Sequence, residues 1–476
     1  VLFNSLNFIV FFAVVLAIYA LPLWWPSKKA VLLLASYVFY AAWNPPFVAL
    51  LWLSTVVDWL VARRLYRSTH PTARRAWLAV SLATNLGLLA FFKYGTFFLE
   101  NWNVISGFYG LGEMAFPWNI ILPVGISFYT FQTLSYTIDV YRKELTPTNS
   151  LLDFALYVSF FPQLVAGPIV RARDFLPQLI QPKAVTARHL GWGLNLLLLG
   201  LFQKIVLADH LLAPVVTAVY DSGGVDPNRM SAWAATFAFS GQIFFDFAGY
   251  STCAIGIAMC LGFALPDNFH FPYAARGFSD FWRRWHISLS SWLRDYVYIA
   301  LGGNRKGVSR TQINLALTML IGGLWHGAAW TFVFWGGLHG SYLIAERWAR
   351  RSKLGQAGLW NSGPGQLALV LVTYLAVCIA WVFFRAPSFG AAFSIVKPLF
   401  GFEMATAQAL LEPGQCAIAF AVTALLLGGH YVLREQRLEQ VVDRIPGWLL
   451  VIGNAFMLAS IVFSGGEDRA FIYFQF

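Results

Sequence analysis

The chain has 476 residues, of which 58% are hydrophobic and only 12% charged, and its formal net charge is +11. A soluble globular protein carries about 25% charged residues; half that share, spread between apolar runs near the length of a bilayer span, excludes a water-soluble domain and indicates a polytopic membrane protein. The Lys and Arg residues collect at the ends of the apolar runs, which reads as positive-inside bias and contact with anionic headgroups, and no nucleic-acid module is visible.

In chain order the apolar runs fall near 5–24, 30–43, 46–62, 76–98, 118–140, 151–166, 191–217, 231–263, 312–346, 365–384, 415–433 and 447–464. The first lacks a basic leader and a small-residue cleavage site, so it reads as a retained helix. Run 30–43 is short and is followed by Asn44-Pro45-Pro46, which argues against an unaided crossing. Run 151–166 ends at Pro162 and the Gly167-Pro168 pair, which break helices. Run 231–263 is long enough to tilt away from the membrane normal. Run 312–346 is too long for one span and contains Gly322-Gly323, Gly327 and Gly336-Gly337; it reads as two segments meeting near His326. The longest polar stretch, 264–311, is rich in Trp, Tyr and Phe and reads as amphipathic segments lying in or dipping into the interface. With no internal repeat, low-complexity linker or soluble insertion, residues 1–476 are treated as one membrane-embedded domain.

Charge asymmetry gives an orientation. Arg63, Arg64, Arg67, Arg74 and Arg75 fill one loop, Arg276, Arg283, Arg284, Arg305, Lys306 and Arg310 a second, and Arg347, Arg350, Arg351 and Lys353 a third. These loops are expected on the cytoplasmic side, and the stretches 99–117 and 218–228, without Lys or Arg, on the outer side together with the N-terminus. Cys253, Cys260, Cys378 and Cys416 sit in apolar sequence with no CxxC pair, so they read as buried small hydrophobes and no metal site is expected.

Three runs carry polar groups at helical spacing. Gly125, Tyr129, Gln132, Tyr136 and Asp139 share one face, Gln242, Asp246 and Tyr250 another, and Asn314, Thr318, Gly322 and His326 are each four apart. Polar faces in lipid turn towards each other or towards a hydrated cavity, so the pattern implies an internal polar tunnel. Hydrogen bonding between helices is the competing role for Gln132, Gln242 and Asn314, and Asp246 reads as a paired, structural carboxylate because a lone one in lipid would protonate.

His326 stands apart, in LTMLIGGLWHGAAWTFVFWGGLHG. An ionisable group at membrane depth is a functional candidate by default, and imidazole exchanges protons near neutral pH. Trp325 before it supplies a bulky wall and Gly327 after it a close backbone approach; the alternative is a satisfied core histidine. His339, thirteen residues on, reads as structural. Around His286, Phe281, Trp282, Trp285, Leu289, Trp292 and Tyr296 form an apolar side, with Arg283, His286, Ser290 and Arg294 on the other. That helix reads either as an interfacial helix with a solvated basic face, or as a cytoplasmic mouth where Arg charge attracts an anionic donor and His286 lines the site or orients the substrate.

A family resemblance rests on NSLNFIVFF, LLLASYVFYAAWNP, LPVGISFYTFQTLSYTIDVYR, FFPQLVAGPIVRARDFLPQL, FFDFAGYSTCAIGIAMCLGF, NFHFPYAARGFSDFWRRWHISLSSWLRDYVYIALGGNR, the segment around the WHG of His326, and the terminal FIYFQF. In these segments, which span nearly the whole chain in order, it resembles the membrane-bound O-acyltransferase (MBOAT) family, in the bacterial branch that contains the membrane subunits of alginate O-acetylation. The resemblance implies an all-α fold: a ring of about eleven or twelve membrane helices around a thinned centre, with shorter re-entrant or interfacial helices. It implies transfer of an acyl group from a thioester donor, acetyl-CoA or a carrier protein, to a hydroxyl, with no tightly bound cofactor. It places the catalytic histidine on His326 and the upstream family position on His286. Donor contacts are expected from Arg283, Arg284 and Arg294, and a tunnel lining from Tyr129, Gln132, Tyr136, Gln242, Asp246, Tyr250, Ser290, Asn314 and Trp325. It further implies residence in a bacterial inner membrane, passage of acetyl outward, and periplasmic SGNH-type acetyltransferases as partners that modify the exported polysaccharide. The competing activities are D-alanyl transfer to teichoic acid on the same scaffold, and passive or coupled transport of a small solute through the polar tunnel. The transport reading lacks the paired inverted halves of such carriers.

Overall fold

The structure, a computed structural model, describes residues 3–116, 120–353, 355–464 and 471–472. Sequence readings that extend beyond these fall on residue 117 of the stretch 99–117, residues 118–119 at the start of the fifth run and residues 473–476 of the FIYFQF segment. Among the described residues helices are the only regular elements, beside one isolated bridge between Pro227 and Gln408. Among the described residues six helices are long and apolar enough to cross a membrane: Pro45–Arg67, Pro71–Phe108, Ala187–Tyr220, Arg229–Cys260, Gly363–Arg385 and Pro413–Leu433. Leu6–Ala20, Phe389–Leu399 and Gly447–Phe463 are shorter apolar helices.

The chain gathers into two compact units, residues 1–197 with 251–266, and residues 198–250 with 267–476. The first contains α1 (Leu6–Ala20), α2 (Trp25–Ala41), α3 (Val48–Arg67), α4 (Pro71–Phe108), α5 (Ile126–Tyr141), α6 (Leu151–Ser159), α7 (Phe161–Leu164), α8 (Ala172–Phe175) and most of α9 (Ala187–Leu201). Its polar centre joins α3, α4 and α5. Buried Asp58 accepts hydrogen bonds from Ser81 Oγ at 2.5 Å and Asn85 Nδ2 at 2.8 Å, and Asn85 Oδ1 accepts from Ser54 at 2.6 Å and Thr133 at 3.2 Å. In lipid the hydrophobic effect does not drive helices together, so such interhelical bonds and close packing hold them. Lys29 of α2 pairs with Asp153 of α6.

All of α5 except Ile138 and Tyr141 is buried. The spacing of Tyr129, Gln132 and Tyr136 therefore does not separate a lining face from a packed one. Gly125 precedes the helix as its N-cap, in the left-handed conformation (φ 77°), and a Cβ there would lie 2.7 Å from the Leu164 carbonyl oxygen.

The second unit continues the α9 helix as a π-helical stretch, Phe202–Leu212, into α10 (Ala213–Tyr220). It then holds most of α11 (Arg229–Cys260), followed by α12 (Phe278–Arg284), α13 (Ile287–Leu293), the π-helical turn Arg294–Tyr298, α14 (Val308–His326) and α15 (Trp330–Ala349). It closes with α16 (Gly363–Arg385), α17 (Phe389–Leu399), α18 (Pro413–Leu433), α19 (Leu438–Val442) and α20 (Gly447–Phe463). The 312–346 run divides as expected, with α14 ending at His326 itself. The paired glycines are not the breaks. Gly323 and Gly336 face each other across the hairpin, where a Cβ on either would stand 2.3 Å from a backbone oxygen of the other helix. No residue of α20 is buried, and Val451, Phe456, Val462 and Phe463 are exposed. An apolar helix so exposed is solvated by lipid, and the chain is a multi-pass membrane protein.

Candidate functional site

Both singled-out histidines lie in the second unit, and their rings come together. The centroids of His286 and His326 are 6.4 Å apart, and Trp325 is 5.0 Å from His326 and 6.0 Å from His286. Trp335 of α15 and Phe384 of α16 complete an aromatic wall, edge-on to His326 at 5.0 and 5.4 Å. His326 is 4% exposed and His286 fully buried. An imidazole pair in so dry a place has its proton affinity set by its immediate neighbours, with little help from water.

The sequence reading of one amphipathic helix around His286 is corrected here. The helix breaks at Trp285, and His286 sits in the left-handed region (φ 43°, ψ 55°) before α13 begins. A residue other than glycine pays roughly 1–3 kcal/mol for such a conformation, and this strain persists at functional sites where the surroundings enforce it. The break turns the ring away from any solvated basic face and into the core, edge-on to Phe247 at 4.6 Å. Burial pushes the His286 imidazole down to about 3, so it is neutral at physiological pH.

The three arginines expected to meet a donor differ. Arg283 and Arg294 are largely exposed; Arg283 lies 3.9 Å from Asp280, and Arg294 pairs with Asp295 at 2.7 Å. Arg284 is buried, its charge already matched by Asp280 at 3.0 Å, and it donates to the carbonyls of His270 and Arg434. Asp280 also accepts from Arg434 at 2.6 Å and from the Arg276 N–H at 3.0 Å. Burial raises its carboxyl, but these donors outweigh burial and hold it below the usual carboxylate range. Arg284 thus belongs to an internal ion network, sharing Asp280 with Arg434 and lying 3.8 Å from Glu435, so its guanidinium is engaged in the interior instead of offered at the surface.

Of the expected lining residues, Trp325 is beside both histidines. Asp246 of α11 is paired with Lys204, which also meets Asp209 at 2.9 Å, and Asp246 accepts the Ile472 N–H at 2.9 Å. Tyr250 packs on Phe471 at 4.8 Å, and Gln242 is half-buried. Asn314 donates to the Gly303 carbonyl at 2.8 Å, tying α14 to the preceding loop, and Ser290 Oγ donates to the Trp285 carbonyl at 3.1 Å. Tyr129, Gln132 and Tyr136 are buried in the first unit, where the Gln132 carbonyl accepts from the Tyr157 hydroxyl and the Tyr136 hydroxyl accepts from the Thr148 N–H. His339 is fully buried between Trp335, Trp282 and Phe281, with neither ring nitrogen partnered among the described residues.

The sequence reading missed Asn268, which contacts the His286 ring, together with Phe247, Trp335 and Phe384. Asn268 lies eighteen residues before His286 in an irregular stretch, and no helical period links them. Among the described residues there is no cluster of three or more His, Cys, Asp or Glu arranged to hold a metal ion.

Comparison with known proteins follows the same residues. The model of the membrane-bound O-acyltransferase family matches residues 126–352, which include both histidines. The chain is 38% identical to the probable alginate O-acetylase AlgI of Pseudomonas putida over 475 residues, covering 94% of each chain. It is 40% identical to the probable alginate O-acetylase AlgI of Pseudomonas aeruginosa over 79% of this chain and 70% of that one. It is 33% identical to the peptidoglycan O-acetyltransferase of Helicobacter pylori over 94% of this chain and 91% of that one. With relatives of this identity aligned along nearly its full length, and its two facing histidines inside the matched segment, the chain is an acyltransferase and belongs to the membrane-bound O-acyltransferase family.

Proposed function

We propose that this protein takes an acetyl group from a thioester donor on the cytoplasmic side and passes it through an intramembrane passage towards hydroxyls of an exported polysaccharide, alginate or a polymer like it, with His326 as general base. The observation that carries the reading is the pairing of the His326 and His286 rings inside an aromatic wall. In the reaction, an imidazole nitrogen of His326 takes the proton of the acceptor hydroxyl as its oxygen attacks the thioester carbonyl. The carbon–sulfur bond breaks, and the thiolate leaves with the proton that His326 returns. The water-poor surroundings protect the thioester from hydrolysis and strengthen each polar contact with the developing oxyanion.

The donor is acetyl-CoA or an acyl-carrier protein, met by the exposed Arg283 and Arg294, whose guanidinium groups suit phosphate. Acetyl is the favoured acyl group because the relatives matching this chain along most of its length are named O-acetylases and an O-acetyltransferase. The reading places the protein in a bacterial inner membrane, with periplasmic SGNH-type acetyltransferases as downstream partners.

The test is His326→Ala in membranes given labelled acetyl donor. The variant is expected to insert and fold but to lose transfer by about 10²–10⁴-fold, the usual contribution of a general base. Normal transfer by His326→Ala overturns the role of this ring. Passage of unreacted label with no covalent product overturns the enzymatic reading in favour of transport, and transfer from a labelled D-alanyl donor with none from the acetyl donor overturns the choice of acyl group.

A further inference from the structure

One side-chain amide decides which nitrogen of His286 carries the proton. Asn268 Oδ1 faces three donors: the Ser288 backbone N–H at 3.3 Å, the Ser288 hydroxyl at 2.9 Å, and His286 Nδ1 at 3.1 Å. A backbone N–H can only donate, so the amide atom facing it is the oxygen, and the flipped orientation would set an NH2 against an N–H. An amide oxygen can only accept. The Nδ1 of His286 is therefore the protonated nitrogen, and a neutral imidazole carries only one ring proton.

The same asparagine fixes the backbone. Its carbonyl accepts the Ile287 N–H at 2.9 Å, and two residues on, the His270 N–H donates to the Arg284 carbonyl at 2.9 Å. The 268–270 segment thus clamps both sides of the left-handed residue. Few residues other than Gly adopt that conformation, Asn, Asp and His being the most tolerant, and the clamp holds His286 in it with its ring among Phe247, Trp325 and His326.

We propose that Asn268 is a positioning residue for acyl transfer, holding His286 as the Nδ1–H tautomer so that Nε2 offers its lone pair as a hydrogen-bond acceptor within the histidine pair. This rests on the acyl-transfer reading above and extends it to a residue outside the helices. With Nε2 as acceptor, His286 orients the proton-bearing partner, whether the acceptor hydroxyl or the protonated His326, and no bond to His286 forms or breaks. A carbonyl-type oxygen is required at position 268, because a donor there would invert the tautomer and turn Nε2 into an N–H. Tautomer control of this kind is how a neighbouring acceptor sets up a catalytic histidine.

The experiment uses full-length protein with ¹⁵N-labelled histidine in lipid nanodiscs, the His286 signals assigned by their loss in His286→Gln. The wild type is expected to show a protonated Nδ1 and an unprotonated Nε2. Asn268→Leu is expected to lose that pattern and to lower kcat by about 10–100-fold while the donor KM stays nearly constant. Asn268→Asp, whose carboxylate accepts the same three donors, is expected to keep the tautomer and recover most of kcat. A wild-type ring protonated on Nε2 overturns the proposal, as does an Asn268→Leu enzyme with altered ring signals and unchanged kcat. If Asn268→Leu fails to fold, the wild-type spectrum and Asn268→Asp still decide. Full activity in His326→Ala would instead remove the parent reading, leaving the tautomer result standing by itself.

Discussion

Two arginines adjacent in sequence, Arg283 and Arg284, have opposite fates. Helical geometry turns neighbouring side chains about 100° apart, so Arg283 points outward while Arg284 enters the ion network of Asp280 and Arg434. Neutralising them separates two roles. Arg283→Gln is expected to leave thermal stability unchanged and to raise the apparent KM for a phosphate-bearing donor several-fold, roughly the effect of losing one partly exposed charge-assisted contact. Arg284→Gln is expected to lower the melting temperature in detergent, since it removes a buried cation from Asp280 and the donor to the His270 and Arg434 carbonyls; Asp280 keeps Arg434, so the loss is expected to stay below the about 3–5 kcal/mol of a buried pair broken outright. Equal donor KM values for Arg283→Gln and wild type, measured by initial rates, would remove Arg283 from the donor site. His286 was legible as a residue of interest from its place before ISLSSW, but its burial was not. Periodicity assumes a continuous helix, and the left-handed turn at His286 breaks the period between Arg283 and Ser290.

At the scale of elements, the α14–α15 hairpin delivers His326. Its helices approach closely because Gly323 meets the Phe332 carbonyl and Gly336 the Met319 carbonyl with no side chain between them. Small residues permit this contact, which in lipid supplies much of the packing energy between helices. Gly336→Val is expected to wedge the hairpin open, destabilising the protein by about 1–3 kcal/mol and displacing His326, with activity falling accordingly. Gly337→Ala, whose Cβ meets nothing nearer than Leu320 Cδ2 at 3.6 Å, is expected to behave as wild type. Thermal unfolding and transfer rates of the two variants side by side check this; equal tolerance of both would show that the hairpin is held elsewhere. The glycines were visible in the sequence, yet their meaning was not. A Gly pair reads equally as a helix break or a helix contact until the facing helix is known, and here the break falls after His326, at Gly327.

At the scale of the whole molecule, the distribution of Lys and Arg sets the orientation expected in the membrane. The facing ends of α3 and α4, which carry Arg63, Arg64, Arg67, Arg74 and Arg75, and the Lys- and Arg-free stretch at the far end of α4 are expected on opposite sides of the membrane, the first cytoplasmic. The 38 residues of α4 extend about 57 Å at 1.5 Å per residue, ample to link the two faces even when tilted. All four native cysteines are buried, so new ones report with little background. In intact cells an impermeant thiol reagent is expected to label Gly112→Cys and to miss His70→Cys until the membrane is opened; the reverse order would invert the orientation and place the donor on the wrong side.

The sequence by itself determined the class of this protein: long apolar runs with few charges have one stable solvent, the bilayer, and every backbone polar group there must be satisfied within helices. It also pointed to a division of the 312–346 run near His326, although length alone does not force one, since the 38 residues of α4 are continuous. Tertiary structure alone decided which polar groups meet. Asp246 acquired Lys204, Arg284 acquired Asp280 and Arg434, and His286 acquired Asn268 through contacts between segments whose register no periodic pattern records. The physical reason is that helical spacing reports which side chains share a face, whereas partnership between faces, and the conformation of a residue between helices, depends on how those elements pack.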